Sequence, residues 1–436
     1  MICQRTLPTL TLGFALLLQG SEAVSADRQQ LIQQREILKR ILNENLLPFW
    51  YPGVLDHEAG GYRLNHDIDG KWIGPHPKAL VTQARTLWFF SNLVNEGKGS
   101  AEHLKAAEHG FRFLRDHMWD RTHGGFFWEV DYSGGTSTRP NKHLYGQSFG
   151  LYALSEYLMA SGDPEARELA DRLFDLLEEH AHDREYGGYR EYFLPDWTAP
   201  PESEAGYMQV AADIKLMNTH LHLMEAFTTY YRATRRPMAR QRLIELVAIE
   251  SNAVVRKQIG ACTDKYHLDW IPLTGARYER VSYGHDIENA WLIAEANEAL
   301  GLPNGPYLDL YRSLVDYALR FGFDQEKGGF YYTGNFHQAA DDLDKSWWVQ
   351  AEALVSMLTM YELTGSEIYS EAFSKTLNWT DQYQVDWKNG DWFASISPEG
   401  HPTGTKAGPW KSPYHNGRAV LRTISQLSRI INLQGE

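Results

Sequence analysis

The sequence predicts an all-α protein built as an (α/α)6 barrel, a ring of six helical hairpins. Two observations support this prediction: a Gly-Gly-aromatic signature recurs along the chain, and paired amphipathic segments lie between its copies. Hairpins of similar size cannot each bury an apolar face alone. A closed ring with six inner and six outer helices buries all of these faces, so this is the architecture we expect.

The Gly-Gly-aromatic signature divides the chain into six units of about 60 to 70 residues. Its clear copies are Gly60-Gly61-Tyr62, Gly124-Gly125-Phe126, Gly187-Gly188-Tyr189 and Gly328-Gly329-Phe330. The gap before the last of these is much longer than the others, and we interpret Tyr266 to Trp270, in its middle, as a degenerate copy. Gly390-Asp391-Trp392 is interpreted as the sixth copy.

Twelve amphipathic helices are predicted, because apolar residues recur at spacings of three and four along each segment. The predicted helices span residues 28–47, 79–95, 102–118, 142–159, 164–181, 215–233, 237–257, 285–300, 307–323, 345–363, 367–382 and 413–431. Asp163 before Pro164 and Ser412 before Pro413 each offer an N-cap oxygen followed by a proline, which suits the first turn of a helix. Every second helix is expected to be an inner one.

The composition allows a large buried core and excludes two classes of partner. The chain has 436 residues, of which 43% are hydrophobic and 13% aromatic. Its formal net charge of -14 repels phosphate backbones and anionic lipids, so we expect no nucleic acid and no stable membrane association. We expect a monomer or a weak homo-oligomer.

Residues 1–26 are predicted to be a signal peptide. Arg5 gives a weakly positive start, a short apolar run covers residues 7–18, and small residues follow up to Ala26. We therefore expect an exported protein, periplasmic or secreted, whose single catalytic domain covers residues 27–436. Cys262 is then its only cysteine, so no intramolecular disulfide can form, and we expect a buried thiol.

The residues least suited to a plain amphipathic helix cluster at the beginnings of the inner helices. Parallel inner helices place these ends at one mouth of the barrel, so their side chains should converge on one cavity. Aromatic rings stack on sugar faces and planar polar groups bind hydroxyls, so the combination predicts a sugar-binding pocket. The candidates are Arg85, Tyr145, Asn218, His222, His285, Glu288, Trp348, Glu352, Trp410 and His415, with the carboxamides of Gln83, Gln147 and Gln350. Of Trp347 and Trp348, only one is expected to face the cavity, and we favour Trp348.

Metal chemistry fits this pattern less well. His285 and Glu288 have the one-turn spacing of a helical metal pair, but the sequence has no HExxH or cysteine-pair motif. His220 and His222 are two residues apart and should point in different directions on a helix. We therefore predict no metal.

Glycosidases also use this barrel, and they need two carboxylates at the scissile bond. Glu288 and Glu352 are available, but each follows His285 or Trp348 by one turn, as an orienting group would. Histidines at the front positions favour proton transfer at carbon, because a base with a pKa near neutrality suits that step.

Four segments on the predicted inner helices carry a family signature: NTHLHLMEA (218–226), YGHDIENAWL (283–292), KSWWVQAEAL (345–354) and WKSPYHNGRA (410–419). They resemble cellobiose 2-epimerases of the N-acylglucosamine 2-epimerase superfamily, and the resemblance covers the chain from about residue 28 to its end. It implies an (α/α)6 barrel, no cofactor, and interconversion of glucose and mannose at the reducing end of β-1,4-linked disaccharides such as cellobiose and lactose.

The resemblance also implies roles for single residues. His285 and His415 match the two acid/base histidines, Glu288 matches the group that orients His285, and Arg85 matches the group that steadies the sugar oxygens. The residues expected to contact the sugar are Tyr145, Asn218, His222, Trp348, Glu352 and Trp410. His222 is also a candidate helper in ring opening.

Two histidines are needed because inversion at C2 moves a proton from one face of the carbon to the other. Once the pyranose opens, the aldehyde acidifies the C2 proton, and His415 is our candidate base that removes it to give an enediolate. After rotation about C2–C3, His285 would return a proton to the opposite face. Arg85 would stabilise the developing oxyanion.

Three functional readings stay open from the sequence. The first is a disaccharide 2-epimerase, for which export makes mannobiose a serious alternative substrate. The second is a monosaccharide aldose-ketose isomerase that passes the proton from C2 to C1 through the same enediolate. The third is a non-catalytic glycan-binding protein.

Overall fold

The computed structural model describes residues 28–201 and 204–434, which form twelve long helices joined by short strands and turns. The helices are α1 (28–50), α2 (Leu80–Asn95), α3 (Ala101–Phe113), α4 (Leu144–Ser161), α5 (Pro164–Leu176), α6 (Met217–Thr234), α7 (Pro237–Ala248), α8 (Tyr283–Leu300), α9 (Leu308–Phe321), α10 (Trp347–Thr364), α11 (Glu367–Trp379) and α12 (Tyr414–Leu433). The predicted signal peptide lies outside the described residues.

The even-numbered helices form a closed inner ring, because each contacts the next and α12 returns to contact α2. The odd-numbered helices lie outside, each packed against an inner neighbour. Burial follows this division: every residue from Leu144 to Tyr157 of α4 is buried, whereas α5 is buried along one side only. The predicted (α/α)6 barrel is confirmed.

Short strands lie in the connections that precede the inner helices. They are β1 (Lys78–Ala79), β2 (Glu129–Val130), β3 (Ser137–Arg139), β4 (Lys142–His143), β5 (Tyr192–Phe193), β6 (Ile214–Leu216), β7 (Val255–Arg256), β8 (Ala261–Cys262), β9 (Lys265–His267), β10 (Arg280–Ser282), β11 (Thr333–Asn335), β12 (Ala340–Asp342), β13 (Lys345–Ser346), β14 (Ser395–Ile396) and β15 (Pro402–Thr403). They pair as antiparallel ribbons of two or three strands. The helix starts predicted at residues 142, 215 and 345 were therefore too early, because the backbone there bonds to a neighbouring strand.

A buried lysine–aspartate pair fixes each clear Gly-Gly turn. Lys78 Nζ lies 2.9 Å from Asp56 Oδ2, and both side chains are almost fully buried. The same pairing recurs as Lys142–Asp120, Lys215–Asp183, Lys345–Asp324 and Lys406–Asp386. Each lysine lies a few residues before an inner helix in the chain. These pairs therefore stabilise the connections at the mouth of the barrel.

The carboxamides predicted to line the cavity bind these turns instead. Gln83 accepts a hydrogen bond from the Tyr62 N–H (2.9 Å) and donates one to the Tyr62 carbonyl (2.8 Å). Gln147 binds Phe126 and Gln350 binds Phe330 in the same way. The second glycine is required for this contact, because Gly61 has a φ of +63° and a Cβ atom there would lie 2.6 Å from Gln83 Oε1.

The degenerate copy of the signature is Gly260 to Cys262, and the prediction of Tyr266 to Trp270 was wrong. Cys262 pairs with Val255 as the aromatic residues of other copies do in their turns, and its N–H donates to Asp286 on α8 over 2.8 Å. Cysteine replaces the aromatic residue and aspartate replaces the glutamine, so the sequence pattern disappears while the contact remains. Cys262 is a free, buried thiol, as predicted.

One of the two predicted caps is confirmed. Asp163 Oδ1 accepts a hydrogen bond from Glu165 N over 2.8 Å at the start of α5. Ser412 is not an N-cap, because Pro413 itself occupies the cap position of α12 and leaves the serine one residue outside it. None of the helices in residues 28–201 and 204–434 is long and apolar enough to span a membrane.

Candidate active site

A cavity of about 430 Å³ opens at the mouth where the inner helices begin. Its size suits a small sugar, since ligand pockets usually measure about 300–1,000 Å³. Nine of the ten residues predicted for the site line it: Arg85, Tyr145, Asn218, His222, His285, Glu288, Trp348, Trp410 and His415. The barrel therefore brings side chains from all six inner-helix starts to one place.

The two candidate acid/base histidines both pack against one tryptophan ring. The ring centroid of Trp348 is 4.8 Å from that of His285 and 5.8 Å from that of His415. His285 belongs to α8 and His415 to α12, so two separate walls of the cavity each present an imidazole.

Both adjacent tryptophans reach the cavity, which corrects the expectation that only one could. Trp347 and Trp348 each line it, and the Trp347 ring lies 6.3 Å from that of His415. They are the first two residues of α10, where no preceding helical turn covers them. Side chains that would diverge in the middle of a helix can both face an opening at its end.

Glu352 lies behind His415 and not in the cavity wall, contrary to the prediction that it contacts the sugar. Its Oε1 atom is 2.7 Å from Nδ1 of His415, and its Oε2 accepts a hydrogen bond from Trp291 Nε1 over 3.0 Å. The carboxylate is fully buried. Because Nδ1 is engaged, Nε2 is the nitrogen of His415 that is free to act on a ligand.

Glu288 lines the cavity one turn after His285 on α8 but takes a different partner from the one predicted. Its Oε1 accepts a hydrogen bond from Arg418 over 2.8 Å, and within the described residues it forms no hydrogen bond to the His285 ring. Its Oε2 has no hydrogen-bond partner there. Burial raises the pKa of Glu288 to about 8, so this carboxyl can hold a proton at neutral pH.

Arg85 is held over the cavity by aromatic side chains. Its guanidinium lies 4.1 Å from the ring centroid of Phe149 and 4.7 Å from that of Tyr414. It donates to the Tyr145 hydroxyl over 2.9 Å and to the Trp410 carbonyl over 3.2 Å. A positive charge is thus fixed at the wall of the cavity.

The histidines at 220 and 222 point to different places, as predicted for residues two apart on a helix. His220 accepts a hydrogen bond from Tyr189 N over 2.9 Å and so takes the place of the turn-binding glutamines. His222 faces the cavity, and its Nδ1 lies 3.0 Å from Glu225 Oε2. Burial, followed by the charge of Arg85, lowers the pKa of His222 well below its ordinary value.

The rim of the cavity is formed by Asn218 and Trp410. Asn218 is half-buried, and its side-chain oxygen has no hydrogen-bond partner among the described residues. Trp410 is 46% exposed, and its ring lies 6.0 Å from that of Tyr145. An exposed tryptophan at the opening of a polar cavity gives a face on which a second sugar ring can stack.

Sequence reasoning missed the part of the lining that comes from loops and strands. These residues are Met208, Tyr332, Asp342, Asp344, Ser346, Ala394 and Ser395. They stand between helices, where helical periodicity carries no information about the direction of a side chain. One sequence feature could have pointed to these residues: a connection precedes each inner helix at a regular position.

Burial lowers the pKa of both candidate histidines, which favours their neutral form. Burial lowers the pKa of His285, although the charge of Asp264 opposes this effect. Burial, then the charges of Arg85 and His285, lowers the pKa of His415 well below 6.5. Neutral imidazole is the form that accepts a proton from carbon.

Within the described residues, one group could bring three ligand atoms to a metal ion: Glu288, Glu352 and His415, whose atoms lie within 4.8 Å of one another. Arg418 donates to both carboxylates, over 2.8 and 2.7 Å. Its guanidinium already neutralises the charge that would attract a cation, so the group fits an ion-pair network better than a metal centre. The pair of His285 and Glu288, weighed from the sequence as a metal alternative, is not this group.

A ring of paired helices around a sugar-sized cavity, with two imidazoles, an arginine and stacked aromatic rings, is typical of a carbohydrate-converting enzyme. Comparison with known proteins identifies the family to which this protein belongs. The family model for N-acylglucosamine 2-epimerase (GlcNAc 2-epimerase) matches residues 60–419, and the chain belongs to this family. It is an isomerase with a sugar as its substrate.

Individual relatives agree with this assignment. The chain is 30% identical over 399 residues to a cellobiose 2-epimerase of Bacteroides fragilis, covering 90% of this chain and 100% of that one. The solved structure of the cellobiose 2-epimerase of Spirochaeta thermophila is 36% identical with a TM-score of 0.83, covering 92% and 98%. A D-mannose isomerase of Marinomonas mediterranea is 25% identical, covering 88% and 96%.

Proposed function

We propose that this enzyme inverts C2 of the reducing-end sugar in β-1,4-linked disaccharides, with cellobiose as the representative substrate. The observation that carries the proposal is the placement of His285 and His415 around Trp348 in one cavity. Epimerisation needs a base on one face of C2 and an acid on the other. A single histidine on one wall could not reach both faces.

The reaction runs through an enediolate. His415 Nε2 removes the C2 proton of the opened sugar, and the electron pair moves toward the C1 oxygen. Arg85 stabilises the negative charge that develops there, an effect worth about 3 kcal/mol in a site that excludes water. Rotation about C2–C3 then presents the other face to His285, which returns a proton, and the roles exchange in the reverse direction.

Two further groups fit the opening of the pyranose ring. His222 is neutral, held by Glu225, and close to the Tyr145 ring at 5.2 Å between centroids. It can take the proton of the anomeric hydroxyl. Asn218 offers an unpaired amide oxygen to a sugar hydroxyl at the same wall.

The preference for a disaccharide is supported by the names of the relatives and by Trp410. Cellobiose 2-epimerases are among the relatives at about 30% identity over most of the chain. Trp410 provides a half-exposed ring at the mouth, outside the part of the cavity that holds the two histidines. Mannobiose has the same linkage and is an alternative substrate if the enzyme is exported, which we propose from the signal-like residues 1–26.

A second candidate function is aldose-ketose isomerisation of a monosaccharide, favoured by the D-mannose isomerase among the relatives. It uses the same enediolate but returns the proton to C1. Incubation of cellobiose, mannobiose and mannose in D2O, followed by NMR, separates the two. A C2 epimer carrying deuterium at C2 supports our proposal, a ketose product supports the isomerase, and absence of any exchange contradicts both.

Single-histidine variants test the two-base scheme. His285→Ala and His415→Ala should each fail to epimerise cellobiose while remaining folded. Each variant keeps one base, so it should still exchange the C2 proton of one epimer with D2O, and the two variants should exchange opposite epimers. Substantial epimerisation by either variant would contradict the scheme.

A further inference from the structure

Arg418 lies on α12, one turn after Tyr414, behind Glu288 of the candidate active-site cavity. It is 4% exposed, and its guanidinium donates to carboxylates from three other inner helices. Nη2 bonds to Glu288 Oε1 over 2.8 Å and to Glu352 Oε1 over 2.7 Å, and Nη1 bonds to Glu225. One side chain therefore joins α6, α8, α10 and α12 below the site.

Each of these carboxylates is associated with a different histidine of the cavity. Glu352 bonds to His415 and Glu225 bonds to His222. Glu288 follows His285 by one turn of α8. Three buried carboxyl groups this close repel one another when ionised, and removal of their common cation would leave uncompensated buried charge.

We propose that Arg418 is a positioning residue that sets the geometry of His415 and His222 by clamping Glu352 and Glu225 in one network with Glu288, the neighbour of His285 on α8. This inference rests on the proposed two-histidine function. Arginine suits this role because its planar guanidinium can donate hydrogen bonds to several carboxylates in fixed directions. The single ammonium group of lysine cannot do this. The loss should therefore appear in the chemical step rather than in sugar binding.

Arg422 provides a matched control on the same helix, one turn further along. Its guanidinium and that of Arg418 each lie 4.7 Å from the ring centroid of Trp291. Arg422 pairs instead with Glu295, which is not a partner of any cavity histidine among the described residues. The two arginines thus share a helix and a stacking ring, and differ in the carboxylates they hold; the Arg422 side chain is the more exposed of the two, at 24% against 4%.

A second cavity, of about 180 Å³, lies at the opposite end of the barrel and is lined by both Arg418 and Arg422. It gives a small cation a route to the space that truncation of either arginine would create. Guanidinium added to the solution can therefore replace the missing group at either position.

The experiment measures kcat, KM and C2 exchange for R418K, R418A, R422K and R422A, with thermal unfolding as the check on folding. We expect R418K to lower kcat by at least about tenfold with KM for cellobiose nearly unchanged. Dilute guanidinium chloride should raise kcat of R418A, whereas sodium chloride should not. R422K should keep the wild-type kcat.

The outcomes separate the inference from the proposed function. If R418A does not fold, the kcat and KM of R418K decide the question. If the wild-type enzyme exchanges the C2 proton normally but R418K keeps the wild-type kcat, the proposed role of Arg418 is overturned and the proposed function is not. Equal losses in R418K and R422K would overturn it too, because they would indicate general stabilisation of α12. Absence of exchange in the wild-type enzyme would overturn both proposals.

Discussion

Nδ1 of His415 and Oε1 of Glu352 lie 2.7 Å apart, between α12 and α10, and both side chains are buried. The carboxylate fixes the ring orientation and leaves Nε2 toward the cavity. It also stabilises the imidazolium that forms when His415 accepts a proton. The first effect depends on the hydrogen bond and the second on the negative charge. Burial raises the pKa of Glu352 above its ordinary value, whereas Arg418, which donates to the same Oε1 over 2.7 Å, favours the ionised form.

Glu352→Gln keeps the shape of the side chain and removes its charge, so it tests this pair. We expect kcat to fall by about 100-fold, within the range for loss of assisted proton transfer, with little change in KM. Steady-state kinetics on cellobiose measure both quantities. Glu362→Gln, at a partly exposed ion pair further along α10, is the control and should leave kcat unchanged; a wild-type rate in Glu352→Gln would refute the assignment.

The lowered pKa of His415 predicts where activity is lost in acid. A base with a depressed pKa stays unprotonated at lower pH, so activity is retained below pH 6.5 and disappears only as the pH falls through the lowered value. The acid limb of kcat/KM against pH should therefore lie below 6.5. Arg85→Met removes a positive charge that lowers this pKa and should move the limb upward; an unchanged limb would argue against this electrostatic link.

Metal independence is predicted because Arg418 occupies the carboxylates that a cation would need. Dialysis against EDTA should leave kcat and KM unchanged, with the residual metal content measured on the same sample. Loss of activity that a divalent cation restores would instead assign Glu288, Glu352 and His415 as ligands.

The lysine–aspartate pairs of the turns are expected to contribute strongly to stability. Burial raises the pKa of Asp56, but hydrogen bonds from Ala59 and Lys78 outweigh it and lower the pKa to about 2. Lys78→Met would leave this carboxylate buried without its partner, at a cost of about 3 kcal/mol in the free energy of unfolding. Urea denaturation at pH 7 measures the change.

Lys105→Met removes a solvent-exposed ion pair with Glu102 and serves as the control, with an expected change much smaller than that of Lys78→Met. The loss in Lys78→Met should also shrink in acid. A carboxyl group with a depressed pKa stabilises the fold above its unfolded pKa of 3.8, and that contribution is lost as the pH falls toward 2. Equal effects of the two substitutions would contradict this account.

Much of the fold could be predicted from periodicity. The amphipathic spacing of apolar residues located twelve helices, and the Gly-Gly signature grouped them into six hairpins. Both patterns reflect how a segment of the chain buries its own surface. The copy at Gly260 to Cys262 escaped notice since Cys262 and Asp286 replace the residues that define the pattern while preserving the contact. Ser412 was misassigned because its neighbour Pro413 takes the cap position.

The sequence alone determined that His285, His415 and Arg85 belong to one end of the barrel, since helix starts and family resemblance are local properties of the chain. Only the tertiary structure decided which groups touch. Glu352 turned out to hold His415, Glu288 to bind Arg418, and the glutamines to bind turns. These contacts join residues from different helices, and their partners depend on how the ring closes in space, which no local pattern encodes.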